Sequence, residues 1–244
     1  FFLPKGEILA FCGLMGAGRT ELMMSIFGRS YGSSCTGEVF VKGKKVDTSS
    51  PRKALDAGIG YVSEDRKSLG LVLIQDVKTN ISSSSLGKLS KLGVVNSEEE
   101  IKAAEKYRTS LRIKTPSINQ LARNLSGGNQ QKVVLSRCLL ADPEIFIVDE
   151  PTRGIDVGAK FEIYAILNDL VKQGKSVIIV TSEMPEALAM ADRIYVMTAR
   201  PGRIKAEIMV DLPRPRNLLE TESDPRFAAL RRQVLTLIRE EAQR

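Results

Sequence analysis

A glycine-rich segment near the N-terminus constrains the fold more than any other part of this sequence. The segment Gly13–Thr20 follows an apolar run that ends at Cys12 and precedes a helical pattern that begins near Glu21. A strand, a glycine-rich turn and a helix in this order form a phosphate-binding loop, in which backbone N–H groups and the helix N-terminus face phosphate oxygens. The residues that we expect to bind nucleotide here are Gly13, Gly16, Ala17, Gly18, Arg19 and Thr20.

Short apolar runs recur along the chain and predict a central sheet. Because each run is apolar and bounded by turn residues, the pattern favours parallel strands buried on both faces. The runs are Ile8–Cys12, Ile59–Val62, Ile145–Val148, Val177–Val180 and Ile194–Met197. A helical stripe in Ala159–Gln173, followed by Gly174, predicts a crossover helix. The predicted fold class is therefore α/β, a P-loop NTPase with a mostly parallel central sheet.

The strand pattern lapses between about Leu71 and Asn124, and this stretch reads as a mostly helical insertion. Within it, Ser97 precedes three glutamates, which predicts a helix capped by Ser97. After Pro201 the pattern changes again, and apolar residues from Phe227 to Ile238 predict a final amphipathic helix. The predicted divisions are a nucleotide-binding core in two parts (residues 1–70 and 136–200), a helical and signature subdomain (71–135) and a C-terminal accessory hairpin strand and helix (201–244).

The composition excludes several classes of protein. The longest apolar stretches fall far short of the roughly 18 residues that cross a bilayer, and the N-terminus lacks a signal pattern, so we expect a cytoplasmic protein. The three cysteines lack the paired spacing of a zinc site or a disulfide framework. The net charge of +7 comes from 36 basic residues scattered along the chain, so we expect no nucleic-acid partner. The sequence contains no histidine.

Two acids end the apolar run that begins at Ile145. A carboxylate at the carboxyl end of a strand beside a phosphate loop can hold a magnesium ion, so we predict that Asp149 and Thr20 bind Mg²⁺. The neighbouring Glu150 would then polarise the attacking water, which makes it a candidate catalytic residue.

The segment Leu125–Lys132 resembles the signature sequence of one protein family. It reads Leu-Ser-Gly-Gly-Asn-Gln-Gln-Lys and resembles the signature sequence of ATP-binding cassette (ABC) proteins, in which a helix N-terminus is presented to an anion. The resemblance implies a fold with a small antiparallel β element and a helical insertion subdomain. It also implies a head-to-tail dimer, in which Ser126, Gly127, Gly128 and Asn129 close over ATP and Mg²⁺ held by a second nucleotide-binding domain.

Other residues of this sequence match single positions of the family pattern. Gly154 and Asp156 match its dimer-contact loop, and Glu64 stands where the family usually has a glutamine that senses magnesium and the transport partner. Ser182 stands where the family has a histidine that stabilises transition-state charge, and Arg19 replaces the phosphate-loop lysine. Loss of one preorganised polar group costs about 10² to 10³ in rate. We therefore expect the chain's own pocket to bind nucleotide but hydrolyse it slowly, with Glu150 and Ser182 in the catalytic positions.

The combined motifs resemble the second, C-terminal cassette of tandem ATPase subunits of bacterial monosaccharide importers of the ribose, galactose and xylose type. The resemblance implies membrane permease subunits as partners, a periplasmic or extracellular solute-binding protein as an indirect one, and a peripheral position on the inner face of the cell membrane. The segment after residue 200 instead resembles the tail of nitrate, sulfonate and taurine importer ATPases. Such an importer, or a non-transport ABC ATPase of DNA repair or translation, is therefore the alternative function.

Overall fold

One mixed sheet organises the chain. The computed structural model describes residues 1–28, 35–199, 201–214, 216, 221 and 223–242. Within these ranges a six-stranded sheet has the order β10-β9-β1-β8-β7-β4, and every neighbouring pair except β9–β10 is parallel. Its strands are β1 Ile8–Cys12, β4 Ile59–Val62, β7 Ile145–Asp149, β8 Ser176–Val180, β9 Arg193–Met197 and β10 Ile204–Met209. The predicted strands and the mostly parallel sheet are confirmed.

The parallel register determines where the functional segments meet. β1 lies between β8 and β9, with Phe11 paired to Val180 and to Tyr195. β7 pairs with β8 on one side and β4 on the other. Carboxyl ends of parallel strands share one edge of the sheet, so the segments that follow β1, β4, β7 and β8 all begin there. This edge brings together motifs that are 162 residues apart in the sequence, as in the contact between Arg19 and Thr181.

Helices cover the sheet where the apolar pattern predicts them. Helix α1, Arg19–Ile26, follows the phosphate loop, and α2, Pro51–Asp56, is capped by Ser50. Helix α7, Val157–Lys172, buries Ile163 and Leu167 completely and ends before Gly174, which adopts a φ of 82°. Because glycine adopts positive φ without a steric penalty, Gly174 ends the helix as the sequence predicts. Helix α8, Met184–Met190, precedes β9.

Within the described part of the chain, the helical insertion contains four helices and one short hairpin. Its helices are α3 Val77–Ser82, α4 Leu86–Leu89, α5 Ser97–Ser110 and α6 Gly127–Ala141, with a π-helical turn at Arg66–Gly70 before them and a 3₁₀ turn at Ala122–Asn124. A small hairpin joins β5 Ser90–Lys91 to β6 Val94–Val95. The separate antiparallel element is β2 Val39–Val41 with β3 Lys44–Val46. The prediction that Ser97 caps α5 is wrong, because Asn96 accepts hydrogen bonds from the amides of Glu98 and Glu99.

The C-terminal segment packs on the β9 side of the sheet. Strand β10 pairs antiparallel with β9, and helix α9, Pro225–Ala242, buries Phe227 and Val234. Lys205 on β10 donates to Glu240 and Glu241 of this helix. Strand β10 and helix α9 lie within the range predicted for the C-terminal accessory segment (201–244), of which residues 215, 217–220, 222 and 243–244 lie outside the described residues. Along the ranges given above, no helix has the length and apolar character that a bilayer crossing requires.

Candidate functional site

The phosphate loop adopts a conformation that only glycine accepts easily. Gly16 and Gly18 have φ values of 81° and 83°, in the left-handed region, and helix α1 begins directly afterwards at Arg19. A hydrogen bond from the amide of Ala17 to the carbonyl of Leu14 closes the turn. The N–H groups at the start of a helix have no intrahelical acceptor, so this turn offers backbone donors and the positive end of α1 to an anion.

Two further glycines allow the backbone to pack behind this loop. A Cβ atom at Gly13 would lie 3.2 Å from the carbonyl oxygen of Met197 on β9. A Cβ atom at Gly202, between β9 and β10, would overlap the carbonyl oxygen of Ala17. The stretch that precedes β10 therefore touches the backbone of the phosphate loop and supports it. This contact joins the N-terminal loop to the C-terminal segment.

Asp149 lies at the end of β7 with no exposed surface. The hydroxyl of Tyr61, on neighbouring β4, donates to Asp149 Oδ2 over 2.8 Å. Burial raises the pKa of Asp149, and hydrogen bonds from Tyr61 and Thr20 offset part of this rise. Burial beside Asp149 also raises the pKa of Tyr61, which keeps the phenol protonated as a donor. Sequence reasoning missed Tyr61, which is an aromatic residue in an apolar run and carries no motif.

The carboxylate of Asp149 fits the predicted cation. Its Oδ1 atom is buried and has no hydrogen-bond partner among the residues that the structure describes. Leaving a buried acceptor without a partner is costly, and a carboxylate oxygen beside a threonine hydroxyl is a donor set that Mg²⁺ prefers. Thr20 and Asp149, predicted as the metal ligands, are brought together at the start of α1 and the end of β7.

Glu150 is held in an unusual backbone conformation. Its φ is 43°, a left-handed value that costs free energy for a residue with a side chain. The amide of Glu150 donates to the carbonyl of Val180, and the amide of Ser182 donates to Glu150 Oε1 over 2.8 Å. Glu150 and Ser182, predicted as the catalytic positions, are therefore in direct contact through a hydrogen bond from the Ser182 amide to the Glu150 carboxylate. The hydroxyl of Ser182 takes no part in it.

The side chain of Arg19 points towards these same residues. Its guanidinium donates to the carbonyl of Thr181, and Nη2 lies 3.8 Å from Glu150 Oε1. Arg19 is 7% exposed. The cation in the lysine position thus lies beside Glu150, the predicted catalytic residue, and Glu150 Oε1 already accepts a hydrogen bond from the amide of Ser182. A carboxylate oxygen occupied in this way is less able to accept a hydrogen bond from an attacking water.

A further buried acid, Glu186, lies against Thr152 and Thr181 and was not predicted. It is 2% exposed and accepts hydrogen bonds from the hydroxyls of Thr152, at 2.9 Å, and Thr181, at 2.5 Å. Burial raises the pKa of Glu186 to about 7, and the two hydroxyls offset part of the effect. Glu186 thereby connects the segment after β7 to the segment after β8. A glutamate inside an apolar helix was the available sequence signal.

The segment after β4 contacts the predicted dimer loop. Glu64, predicted to bind nucleotide, forms an ion pair with Arg153. Arg66 donates to the carbonyl oxygens of Arg153, at 2.8 Å, and Gly154, at 3.2 Å. Gly154 has a φ of 65°, and Asp156 caps α7 by accepting from the amide of Ala159. Arg66 was not predicted, although it lies in the Ser-Glu-Asp-Arg-Lys motif.

The signature residues surround the N-terminus of α6. Ser126 is exposed and makes no capping hydrogen bond to its own helix, and instead its hydroxyl accepts from Asn129 Nδ2 over 2.9 Å. The structural explanation for the serine, helix capping, therefore does not apply. A Cβ atom at Gly127 would lie 3.2 Å from the carbonyl oxygen of Gly154. A Cβ atom at Gly128 would lie 2.5 Å from the Cβ of Ala159. The two glycines let α6 pack directly on the dimer loop and α7.

The predicted residues therefore fall into two groups. One group surrounds the phosphate loop and includes Asp149, Glu150 and Ser182. The other joins the signature, Glu64 and the dimer loop through Arg66 and Arg153. Each group contains a helix N-terminus, one at α1 and one at α6, and unpaired amides at a helix N-terminus favour anions.

Comparison with known sequences identifies relatives. The family model "ABC transporter" matches residues 1–153. An L-arabinose transport ATP-binding protein from Geobacillus stearothermophilus is 55% identical over 206 residues, covering 84% of this chain and 40% of that protein. A xylose import ATP-binding protein from Thermoanaerobacter pseudethanolicus is 52% identical over 86% of this chain and 41% of its own length. A ribose import ATP-binding protein from Clostridium tetani is 47% identical. The chain spans about two fifths of the length of these relatives.

Solved structures share the fold. A nucleotide-free ATP-binding cassette from an ABC transporter superposes with a TM-score of 0.71, at 22% identity, over 93% of this chain and 88% of that one. A dimeric cassette in a post-hydrolysis state with ADP and Pi superposes with a TM-score of 0.70 at 24% identity, over 87% and 89% of the two chains. The predicted P-loop NTPase fold is therefore confirmed, including its small antiparallel element and its helices.

Proposed function

Since the chain belongs to the ABC transporter family, we propose that it is an ATP-binding module of a monosaccharide importer and that it works with a second cassette. The relatives named for arabinose, xylose and ribose import support the sugar class. The observation that carries the nucleotide site is the pair of left-handed glycines before α1 next to the buried carboxylate of Asp149.

Nucleotide binding follows from the geometry of the phosphate loop. The amides from Gly13 to Thr20 and the N-terminus of α1 bind the phosphates of ATP. Thr20 and Asp149 hold Mg²⁺, which neutralises charge on the phosphates. Tyr61 fixes one oxygen of Asp149, so that Oδ1 remains for the cation. Glu150 is the next residue after Asp149, and the hydrogen bond from its amide to the carbonyl of Val180 fixes the position of its backbone.

Hydrolysis at this pocket is slow in our proposal. The amide of Ser182 donates to Glu150 Oε1 and the cation of Arg19 lies 3.8 Å from it, so a water must compete with a hydrogen bond and an ion pair for that oxygen. Ser182 supplies no imidazole to the transferred phosphoryl group. ATP affinity is reduced less than ATP hydrolysis because Arg19 retains the positive charge of the lysine that it replaces.

The signature acts on the nucleotide of the partner cassette. Ser126 is exposed, and its hydroxyl is oriented by Asn129 and not consumed in capping. The N-terminus of α6 can therefore approach an anion from another chain or domain. In this arrangement the chain contributes Ser126–Asn129 to a competent site while its own pocket binds ATP with little turnover.

Permease subunits bind next to Glu64 in our proposal. Three apolar side chains, Leu69, Val72 and Ile74, are exposed within six residues, and Ile74 has 72% of its surface accessible. Asn80 is buried and fixes this stretch through bonds to both the amide and the carbonyl of Val72. Exposed apolar side chains on a fixed segment are typical of a protein interface. The chain would then lie at the cytoplasmic face of the membrane, with a solute-binding protein acting through the permease.

Calorimetry with the isolated chain tests the nucleotide site. We expect ATP to bind in the presence of Mg²⁺ and to bind more weakly with EDTA, with little hydrolysis. The absence of measurable affinity at millimolar ATP would contradict the proposal. Replacing Ser126 by alanine in the protein assembled with its second cassette is expected to slow steady-state hydrolysis. Replacing Ser83, which bonds to a backbone carbonyl in α3, provides the control.

Transport assays separate the importer classes. The chain, assembled with its permease, is tested with arabinose, xylose and ribose, and separately with nitrate and taurine. Stimulation of ATP hydrolysis by a sugar supports the monosaccharide function. Stimulation by nitrate or taurine alone would instead favour the alternative that the C-terminal segment suggested. Replacing Ile74 by aspartate should lower this stimulation without changing ATP affinity.

A further inference from the structure

Three functional segments meet at the side chain of Arg66. This residue begins the π-helical turn Arg66–Gly70 that follows Glu64. Its two terminal nitrogens donate to the carbonyl oxygens of Arg153 and Gly154. Gly154 belongs to the dimer loop, and Arg153 is the residue before it. A Cβ atom at Gly127 would lie 3.0 Å from Arg66 Nη2, so the guanidinium also touches the first residue of α6.

A second contact joins the same two segments, and here Arg153 supplies the cation and the segment after β4 supplies the acid. The carboxylate of Glu64 pairs with the side chain of Arg153, whose backbone carbonyl accepts from Arg66. Glu64 and Arg66 therefore hold Arg153 by both its side chain and its backbone. We call this set of contacts, made by Glu64, Arg66 and Arg153, the clasp.

The clasp has a feature that stability alone does not explain. Arg66 Nε is buried and finds no hydrogen-bond acceptor within the described part of the chain. A buried donor without an acceptor destabilises the fold. Local rules of stability are broken most often where geometry matters for function. A planar guanidinium is suited to this geometry because its two parallel N–H groups can reach two successive carbonyls at once.

We propose that Arg66 is a positioning residue: its guanidinium holds the dimer loop against the start of α6, so that the placement of the signature depends on the segment after β4. The dimer loop continues into Asp156, which caps α7, and Gly128 packs on Ala159 in the first turn of that helix. A displacement of Glu64 or Arg66 is therefore transmitted to the signature through packed atoms. The inference rests on the proposed function only in that the signature serves a second cassette.

Hydrogen exchange on the chain without nucleotide tests the clasp directly. Arg66→Met keeps the length of the side chain and removes its donors, and Lys67→Met changes the exposed neighbour on the same turn as the control. We expect Arg66→Met to raise exchange at least tenfold for amides in 126–130 and 153–159, and to leave 13–20 unchanged. Unchanged exchange in 126–130 would overturn the proposal.

A charge swap provides a second variant that does not depend on Arg66. Glu64→Arg and Arg153→Glu are each expected to raise exchange in 126–130, and the double variant should return it to within threefold of the wild type. A double variant that behaves as the sum of the two single ones would show that the pair does not act as a unit, and would overturn the clasp.

Turnover in the protein assembled with its second cassette tests the consequence. Arg66→Met should lower kcat at least tenfold while leaving KM and the ATP affinity of the chain's own phosphate loop within twofold, whereas Lys67→Met changes neither. A change in KM with an unchanged kcat would overturn the assigned role. If the chain binds no ATP, the proposed function fails, but the exchange experiment still decides whether the clasp positions the signature.

Discussion

Nη2 of Arg19 lies 3.8 Å from Oε1 of Glu150, and both side chains are buried. The pair joins the residue that departs from the phosphate-loop pattern to the residue expected to activate water. An ion pair in this place reduces the availability of the carboxylate, and the guanidinium also donates to the carbonyl of Thr181. Binding and turnover therefore respond differently to changes at Arg19.

Replacing Arg19 by lysine should raise ATP turnover by the chain about tenfold, which corresponds to roughly 1.4 kcal/mol of barrier. Lysine cannot reach both Thr181 O and Glu150 with a planar fork, so Glu150 Oε1 becomes more accessible to water. Steady-state hydrolysis at saturating Mg²⁺ and ATP measures the effect. Arg52→Lys, at an exposed ion pair, is the control, and turnover that stays at the wild-type level would contradict the prediction.

Replacing Asp149 by asparagine should raise the thermal stability of the nucleotide-free chain and reduce the further stabilisation by MgATP. Burial raises the pKa of Asp149, so its ionised form destabilises the folded state at neutral pH, and the neutral amide should raise the Tm of the nucleotide-free chain. The wild type should gain about 2.7 kcal/mol from MgATP at 100 times Kd, and the variant much less. Thermal denaturation with and without MgATP measures both, with Asp142→Asn as the exposed control. Equal stabilisation of the two proteins by MgATP would refute the metal role.

Replacing Glu186 by glutamine should flatten the dependence of stability on pH. Burial raises the pKa of Glu186 from 4.5 to about 7, so between these values the folded chain retains a proton that the unfolded chain releases. Folding free energy contributed by this group is therefore lost as pH rises from about 4.5 to about 7, by roughly 3 kcal/mol at most. Urea denaturation at pH 5 and pH 7.5 measures the change. The control is Glu98→Gln, and a wild-type slope in Glu186→Gln would disprove the assignment.

Replacing Gly128 by alanine should destabilise the chain by about 1–3 kcal/mol, because the new Cβ would lie 2.5 Å from the Cβ of Ala159. Gly87 lies in α4 with no heavy atom within 4 Å of an added Cβ, so Gly87→Ala should be neutral or stabilising by up to about 1 kcal/mol. Chemical denaturation of the two variants provides the comparison. Similar stability in both would mean that α6 and α7 are not in close contact at this point.

The fold was predictable because its strands are continuous apolar runs. Ile8–Cys12 and Ile59–Val62 have the predicted ends, since burial on both faces leaves no alternation to confuse the pattern. The start of α5 was misplaced by one residue because Asn96 and Ser97 are both good caps, and only the backbone conformation selects between them.

The site was predictable only where its residues are contiguous. The phosphate loop, the strand acids and the signature are local patterns. Tyr61 reaches Asp149 across 88 residues, and Arg66 reaches Arg153 across 87. Such contacts arise when the carboxyl ends of β4 and β7 align in the sheet, and no spacing in the sequence encodes that alignment. Glu186 was missed for the same reason, since Thr152 and Thr181 belong to different strand ends.

The close approach of Gly202 to Ala17 bears on how related proteins exchange parts. A division near residue 200 separates two stretches of chain that are in close contact, so a foreign C-terminus grafted after β9 would place its own residue against the backbone of Ala17. Any residue larger than glycine there would overlap the carbonyl oxygen of Ala17 and displace the backbone of the phosphate loop. Chimeras joined at this boundary should therefore inherit their ATP affinity partly from the donor of the tail.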